Sequence, residues 1–151
     1  MTASRLQLAL NVDDLDAAVE RYTAVFGEGP AKRRPGYANF ALADPPLKLV
    51  LFENPQAASP LNHLGVELAS ADEVRATTER FAASGLTHSV SEADVCCHAL
   101  QDKVWVDVPD VPLGAWEFYA VLDDDPATRT AASGGTCCAT TGAQADAASC
   151  C

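Results

Sequence analysis

The chain of 151 residues is poor in basic side chains, with 10 Lys and Arg against 21 Asp and Glu and a formal net charge of −11. Nucleic acids and anionic membrane surfaces are bound through clustered Lys and Arg, so neither is an expected partner. Long apolar runs are also missing. No stretch approaches the roughly 20 residues that a helix needs to cross a bilayer. The opening residues, Met1 to Arg5, hold no basic segment leading into an apolar one, so no secretory signal is expected and the expected compartment is the cytoplasm. A spaced cysteine framework is lacking too. The six cysteines come only as neighbours: Cys96-Cys97, Cys137-Cys138 and Cys150-Cys151. Neighbouring cysteines bridge each other only through a small, strained ring, and cytosolic thiols stay reduced. Soft-ion or redox chemistry is the expectation, not a disulfide scaffold.

Aromatic residues stop before the end of the chain. From Asp123 to Cys151 the sequence is mostly Ala, Thr, Ser, Gly and Asp. Such a segment buries too little surface to offset its ordering entropy, so 123–151 is expected to be a flexible, Cys-containing tail. Residues 1–122 are the expected folded domain. With 48% apolar residues overall, the chain has enough material for a core.

What is present is a pattern that occurs twice. Leu6, Leu8, Leu10 and Val12 alternate with Gln7, Ala9 and Asn11, a strand period. Asp13 and Asp14 sit where a helix cap belongs. Helical spacing follows through Leu15, Val19, Tyr22 and Phe26 to Gly27. Tyr37–Leu42 and Leu47–Phe52 read as strands around a turn at Asp44-Pro45-Pro46. The pattern restarts at Asn62, with Leu64, Val66 and Leu68 alternating with His63, Gly65 and Glu67. A cap at Ser70 to Asp72, a helix through Val74 and Phe81, and Gly85 follow. Later strands are expected at about Val95–Leu100, Lys103–Val106 and Ala115–Leu122. Glu20-Arg21-Tyr22 matches Glu79-Arg80-Phe81, and Asp44-Pro45-Pro46-Leu47 matches Asp110-Val111-Pro112-Leu113, in the same order at similar separation. The expected architecture is α+β: tandem βαβββ modules, about 5–54 and 60–122, around one cleft.

Overlaying the two copies places Gln7 and His63 at the same point of each first strand, opposite the face that packs on the helices. The overlay sets Leu51 against Glu117, whose strand neighbours Trp116 and Phe118 face the other way. A carboxylate in Trp116-Glu117-Phe118-Tyr119 is costly to bury unless paired or metal-bound. An imidazole, a carboxylate and an amide oxygen, with Leu51 at an apolar fourth corner, form a donor set suited to Fe(II), Mn, Co, Ni or Zn with open positions.

Paired βαβββ modules with these residues resemble the vicinal oxygen chelate superfamily of glyoxalase I, extradiol dioxygenases, and bleomycin- and fosfomycin-resistance proteins. Within residues 5–122, the strings YANFALADPPLKLVLFENP, LNHLGVE and QDKVWV and the pair Cys96-Cys97 are similar to cadmium-induced proteins and organoarsenical C–As lyases of arsenic-resistance operons. The resemblance implies Gln7, His63 and Glu117 as Fe(II) ligands and Cys96 with Cys97 as the arsenic-binding pair. It implies an Fe(II)- and O2-dependent cleavage of the carbon–arsenic bond in trivalent organoarsenicals such as methylarsenite and aromatic arsenicals.

Arsenic chemistry agrees with the cysteine assignment. Trivalent arsenic is soft and forms three bonds; two thiolates leave the As–C bond as the third. Lys103 is a candidate for gating a loop or steadying an anionic intermediate. Ser91 to Asp94 read as a loop that could act as a lid over the pair, His98 as a surface residue beside it, and His88 as part of a polar loop. The expected protein is a monomer or homodimer acting on a small molecule. Two alternatives remain: a non-catalytic thiol protein that binds Cd(II) or As(III), and a glyoxalase-type isomerase. The isomerase would need a second carboxylate where Leu51 is expected.

Overall fold

The computed structural model describes residues 3–96 and 98–126. Its first strand, β1 (Arg5–Val12), leads into helix α1 (Leu15–Phe26). The Asp14 side chain caps the helix by accepting from the Ala17 N–H at 2.9 Å, and Glu53 accepts from the Leu15 N–H at 2.8 Å. These carboxylates satisfy donors that a first helical turn leaves open. Gly27, at φ 75°, ends the helix in a conformation that costs glycine little. Three strands follow: β2 (Lys32–Arg34), β3 (Tyr37–Leu42) and β4 (Leu47–Glu53).

The second half repeats this order. Strand β5 (Leu61–Glu67) leads to α2 (Ala71–Ala83), then β6 (His88–Cys96), β7 (Ala99–Asp107) and β8 (Ala115–Asp123). Ser70 caps α2 by accepting from Glu73 N–H at 3.3 Å, while Glu73 reaches back to the Ala69 N–H at 3.0 Å. All eight strands form one sheet in the order β2-β3-β4-β1-β5-β8-β7-β6. The halves join where β1 and β5 run antiparallel. No helix among the described residues is long and apolar enough to cross a membrane.

Each helix covers its own half of one sheet face. Leu15, Ala18 and Val19 of α1 pack with Phe40, Leu42, Leu49 and Leu51; Val74 and Phe81 of α2 pack with Val104, Val106 and Ala120. The opposite face is concave and carries Ala9, Tyr37, Val50 and Phe52 in a smaller cluster.

Three sequence expectations are corrected here. Ser91–Asp94 and His88 lie within β6, not in loops. An edge strand in which Val90 and Val95 stay exposed carries little apolar signal. The residues expected as one strand at Val95–Leu100 instead span the turn between β6 and β7, with His98 at φ 63°. Leu51 belongs to the core beneath α1 and does not face the cleft. The ladder explains why. Ala9 pairs with Val50, and Gly65 pairs with Glu117. Ala9 pairs with His63 and Gln7 with Gly65 across the join, so two-fold equivalence relates Gln7 to His63 and Ala9 to Gly65. The counterpart of Glu117 is therefore Val50.

Leu51 is fully buried. Leu51→Ala is expected to lower stability by about 2–5 kcal/mol in urea unfolding, the usual range for a core leucine, and to leave divalent-metal affinity unchanged.

Candidate metal centre

Gln7 of β1, His63 of β5 and Glu117 of β8 converge on the concave face, each less than a tenth exposed. The Gln7 Nε2 stands 3.0 Å from His63 Nε2 and donates to Glu117 Oε2 at 2.8 Å; His63 Nε2 and Glu117 Oε2 are 3.1 Å apart. Close approach depends on Gly65. A Cβ there would lie 2.8 Å from the Glu117 backbone oxygen, 3.2 Å from Gln7 Nε2 and 3.3 Å from Glu117 Cβ.

Burial by itself raises the carboxyl pKa of Glu117. It is outweighed by the hydrogen bond and charge of a protonated His63, the charge of Lys103 and the Gln7 amide, which together lower it to about 2. Glu117 is thus ionised throughout the neutral range. Lys103, at 1% exposure, lies 3.4 Å from Glu117 Oε1 and 3.6 Å from Asp94 Oδ2. It neutralises the oxygen turned away from the triangle and leaves Oε2 to face His63 and Gln7. Trp105, paired with Glu117 across β7 and β8, packs its ring 5.4 Å from the His63 ring.

With Glu117 ionised, protons cannot satisfy all three edges of this triangle. If His63 Nε2 carries a lone pair, the Gln7 amide donates to both partners, but that lone pair faces an ionised oxygen. If Nε2 carries a proton, it faces the Gln7 N–H. Turning the amide sets its oxygen against Glu117. One cation accepting a lone pair from each group removes the conflict, because the amide offers its oxygen equally well. An imidazole nitrogen, a carboxylate oxygen and an amide oxygen in one buried cluster are donors that fit a divalent transition metal. Among the described residues no three His, Cys, Asp or Glu side chains cluster as a metal site, and the third member of this triangle is an amide.

The triangle forms part of the wall of a narrow cleft with an interior volume of about 30 Å³. Tyr37, Phe52 and Trp105 supply aromatic wall, and Cys96 of β6 also lines it. Cys96 is buried, at 4% exposure. Cys97 and the tail pairs Cys137-Cys138 and Cys150-Cys151 lie outside the described residues. The His98 pKa is lowered, by burial first and then by the charges of Arg34 and Lys32. Its ring is therefore neutral near pH 7 and brings no cation to the neighbouring thiols.

Sequence reasoning missed Lys32. Buried in β2, it donates to the His98 carbonyl at 3.0 Å, to Asp124 Oδ1 at 2.7 Å and to the Asp124 carbonyl. It thereby ties one edge of the sheet to the turn beyond Cys96 and to the chain leaving β8. No local pattern marks such a residue, because its partners lie 66 and 92 positions away. Asn62 was also overlooked, since its partner Asn11 lies 51 residues off.

A half-barrel sheet of two βαβββ units, with a polar triangle on its concave face, defines the class. The chain belongs to the Glyoxalase/Bleomycin resistance protein/Dioxygenase superfamily, whose family model matches residues 5–126. It is 55% identical over 121 residues to the cadmium-induced protein CadI of Mycobacterium tuberculosis, covering 80% of this chain and 78% of that protein. It is 48% identical over 136 residues to a trivalent organoarsenical cleaving enzyme of Thermomonospora curvata, covering 89% and 88%. Among solved structures, homoprotocatechuate 2,3-dioxygenase of Arthrobacter globiformis shares the fold with a TM-score of 0.54 at 22% identity, over 80% of this chain and 37% of that one. Streptomyces coelicolor methylmalonyl-CoA epimerase shares it with a TM-score of 0.52 at 17% identity, over 80% and 99%.

Gly65→Ala is expected to push Glu117 and Gln7 apart. Isothermal titration with Mn(II) or Co(II) should show affinity at least tenfold weaker, and the new methyl should cost about 1–3 kcal/mol of stability.

Proposed function

We propose that this chain is an Fe(II)- and O2-dependent enzyme that cleaves the carbon–arsenic bond of trivalent organoarsenicals. The observation that carries the reading is the placement of Gln7, His63 and Glu117 in the same cleft that Cys96 lines. The relatives named as organoarsenical cleaving enzymes support the substrate class.

In this reading Cys96 and Cys97 bind the arsenic as thiolates, which leaves the As–C bond as its third. Gln7, His63 and Glu117 hold the iron, which when bound supplies a site for O2 and the electrons that activate it. Tyr37, Phe52 and Trp105 hold the carbon substituent away from water. Lys103 keeps Glu117 ionised and balances its charge. Fixing the arsenical on two thiolates turns its carbon toward the triad, and such orientation contributes strongly to rate. Arsenic leaves as arsenite, still trivalent, and the carbon fragment leaves oxidised by O2. The acidic chain and the small cleft agree with a small-molecule substrate.

The similarity to cadmium-induced proteins favours one second reading, in which the thiols sequester Cd(II) or As(III) without turnover. Oxygen uptake on adding methylarsenite to the Fe(II)-loaded protein separates the two. The isomerase alternative is disfavoured by Val50, an apolar side chain at the register position equivalent to Glu117.

His63→Ala and Glu117→Ala should fold by circular dichroism, lose iron and release no arsenite. Cys96→Ser and Cys97→Ser should each keep iron yet lose at least tenfold in arsenite release from a trivalent phenyl arsenical, while serine at the tail pairs should change neither. Arsenite release at the parent rate from the Cys96→Ser/Cys97→Ser double variant would overturn the assignment of the arsenic anchor.

A further inference from the structure

The imidazole of His63 has a second nitrogen, and its partner belongs to a chain of amides. Nδ1 lies 2.7 Å from Asn62 Oδ1; Asn62 Nδ2 donates to Asn11 Oδ1 at 3.0 Å; Asn11 Nδ2 donates to the Ser59 carbonyl at 2.9 Å. The direction of the whole chain follows from its far end. A backbone carbonyl can only accept, so Asn11 must turn its NH2 toward Ser59. Its oxygen then faces Asn62, which must answer with its own NH2. That leaves the Asn62 oxygen facing His63, and an oxygen there requires a proton on Nδ1. When the ring is neutral, its lone pair is therefore on Nε2, the nitrogen that faces Gln7 and Glu117.

The backbone is shaped for this contact. Successive strand residues point to opposite faces, yet Asn62 and His63 both line the cleft. The β1–β5 ladder supplies the reason. Ala9 pairs with His63, but Leu10 pairs with Leu61, so Asn62 is an extra residue with no counterpart in β1. Such a bulge can re-aim a side chain beside a site. The Asn11 N–H donates to the Pro60 carbonyl at 2.8 Å, which holds the two strands together at this point.

We propose that Asn11 and Asn62 are positioning residues that transmit the polarity of the Ser59 carbonyl to His63, so that its Nε2 lone pair is presented to the metal. The proposal rests on the metal-centre reading for its purpose, though not for its geometry. Partners of this kind fix the ring orientation of a metal-bound histidine and raise its basicity. The relay also selects against the alternative tautomer, in which Nε2–H would donate to Glu117, meet the Gln7 amide and repel a cation.

The test reads the tautomer and the metal separately. In metal-free protein near pH 9, imidazole 15N–1H correlation spectra should show His63 with Nδ1 protonated and Nε2 bare. Asn62→Leu should shift the ring toward Nε2–H and weaken Mn(II) or Co(II) binding by about 10–100-fold, with circular dichroism unchanged. Asn62→Asp, which still accepts from Nδ1–H, should restore both the tautomer and most of the affinity. Asn11→Leu probes the relay without altering the bulged residue and should give a mixed tautomer with a smaller loss of affinity. A metal-free parent with Nε2 protonated would overturn the proposal, as would parent-like metal affinity in folded Asn62→Leu. A parent with the Nδ1–H tautomer but no affinity for divalent transition ions would uphold the relay and overturn the metal-centre reading.

Discussion

Glu117 is an ionised carboxylate taken almost wholly out of water, and much of the concave face is arranged around its compensation. Removing such a charge from solvent without partners costs several kcal/mol. Here Lys103 balances one oxygen, Gln7 donates to the other, and His63 stands beside it. These partners come from three strands other than the one that carries Glu117, so the charge is stable only when both halves of the sheet have joined. With Glu117 ionised, no placement of protons satisfies every contact among Gln7, His63 and Glu117.

The duplicated architecture explains why the site lies at the join. Antiparallel β1 and β5 bring equivalent positions, Gln7 and His63, to one place. Each first strand then pairs in parallel with the last strand of its own half. The two halves differ at these positions. Val50 stands where Glu117 has its counterpart, and Ala9 where Gly65 makes room for the carboxylate. Three polar side chains and one apolar corner result. The single cysteine described at the site, Cys96, comes from the second half alone.

Contacts far apart in sequence complete the cleft. Lys32 in the first half reaches the His98 turn and Asp124, and the His98 ring packs 5.3 Å from Tyr37. The turn that follows Cys96 is therefore held against the opposite edge of the sheet. The positions of Cys96 and of the triad are set by the same sheet.

The sequence by itself determined which segments are strands and helices in most of the chain, because alternation, caps such as Asp14 and Ser70, and terminating glycines are local signals. It also singled out Gln7, His63 and Glu117, since a polar residue opposite a Leu/Val face declares its side within a few residues. Leu47–Phe52 shows where that logic ends. Lys48 is the one polar mark in that stretch of β4, on the face of Val50 and Phe52, but the overlay rested on the matching turn strings before the last strands and ran one residue out of register, which set Leu51 and not Val50 against Glu117. Only the hydrogen-bonded register of β1 with β4 and of β5 with β8 decided between them. The bulge that turns Asn62 into the cleft, the reach of Lys32 across the sheet and the strand identity of polar Ser91–Asp94 were decided in the same way. Each depends on a partner strand or side chain remote in sequence, and the pairing that creates it is a property of the assembled sheet, not of any segment within it.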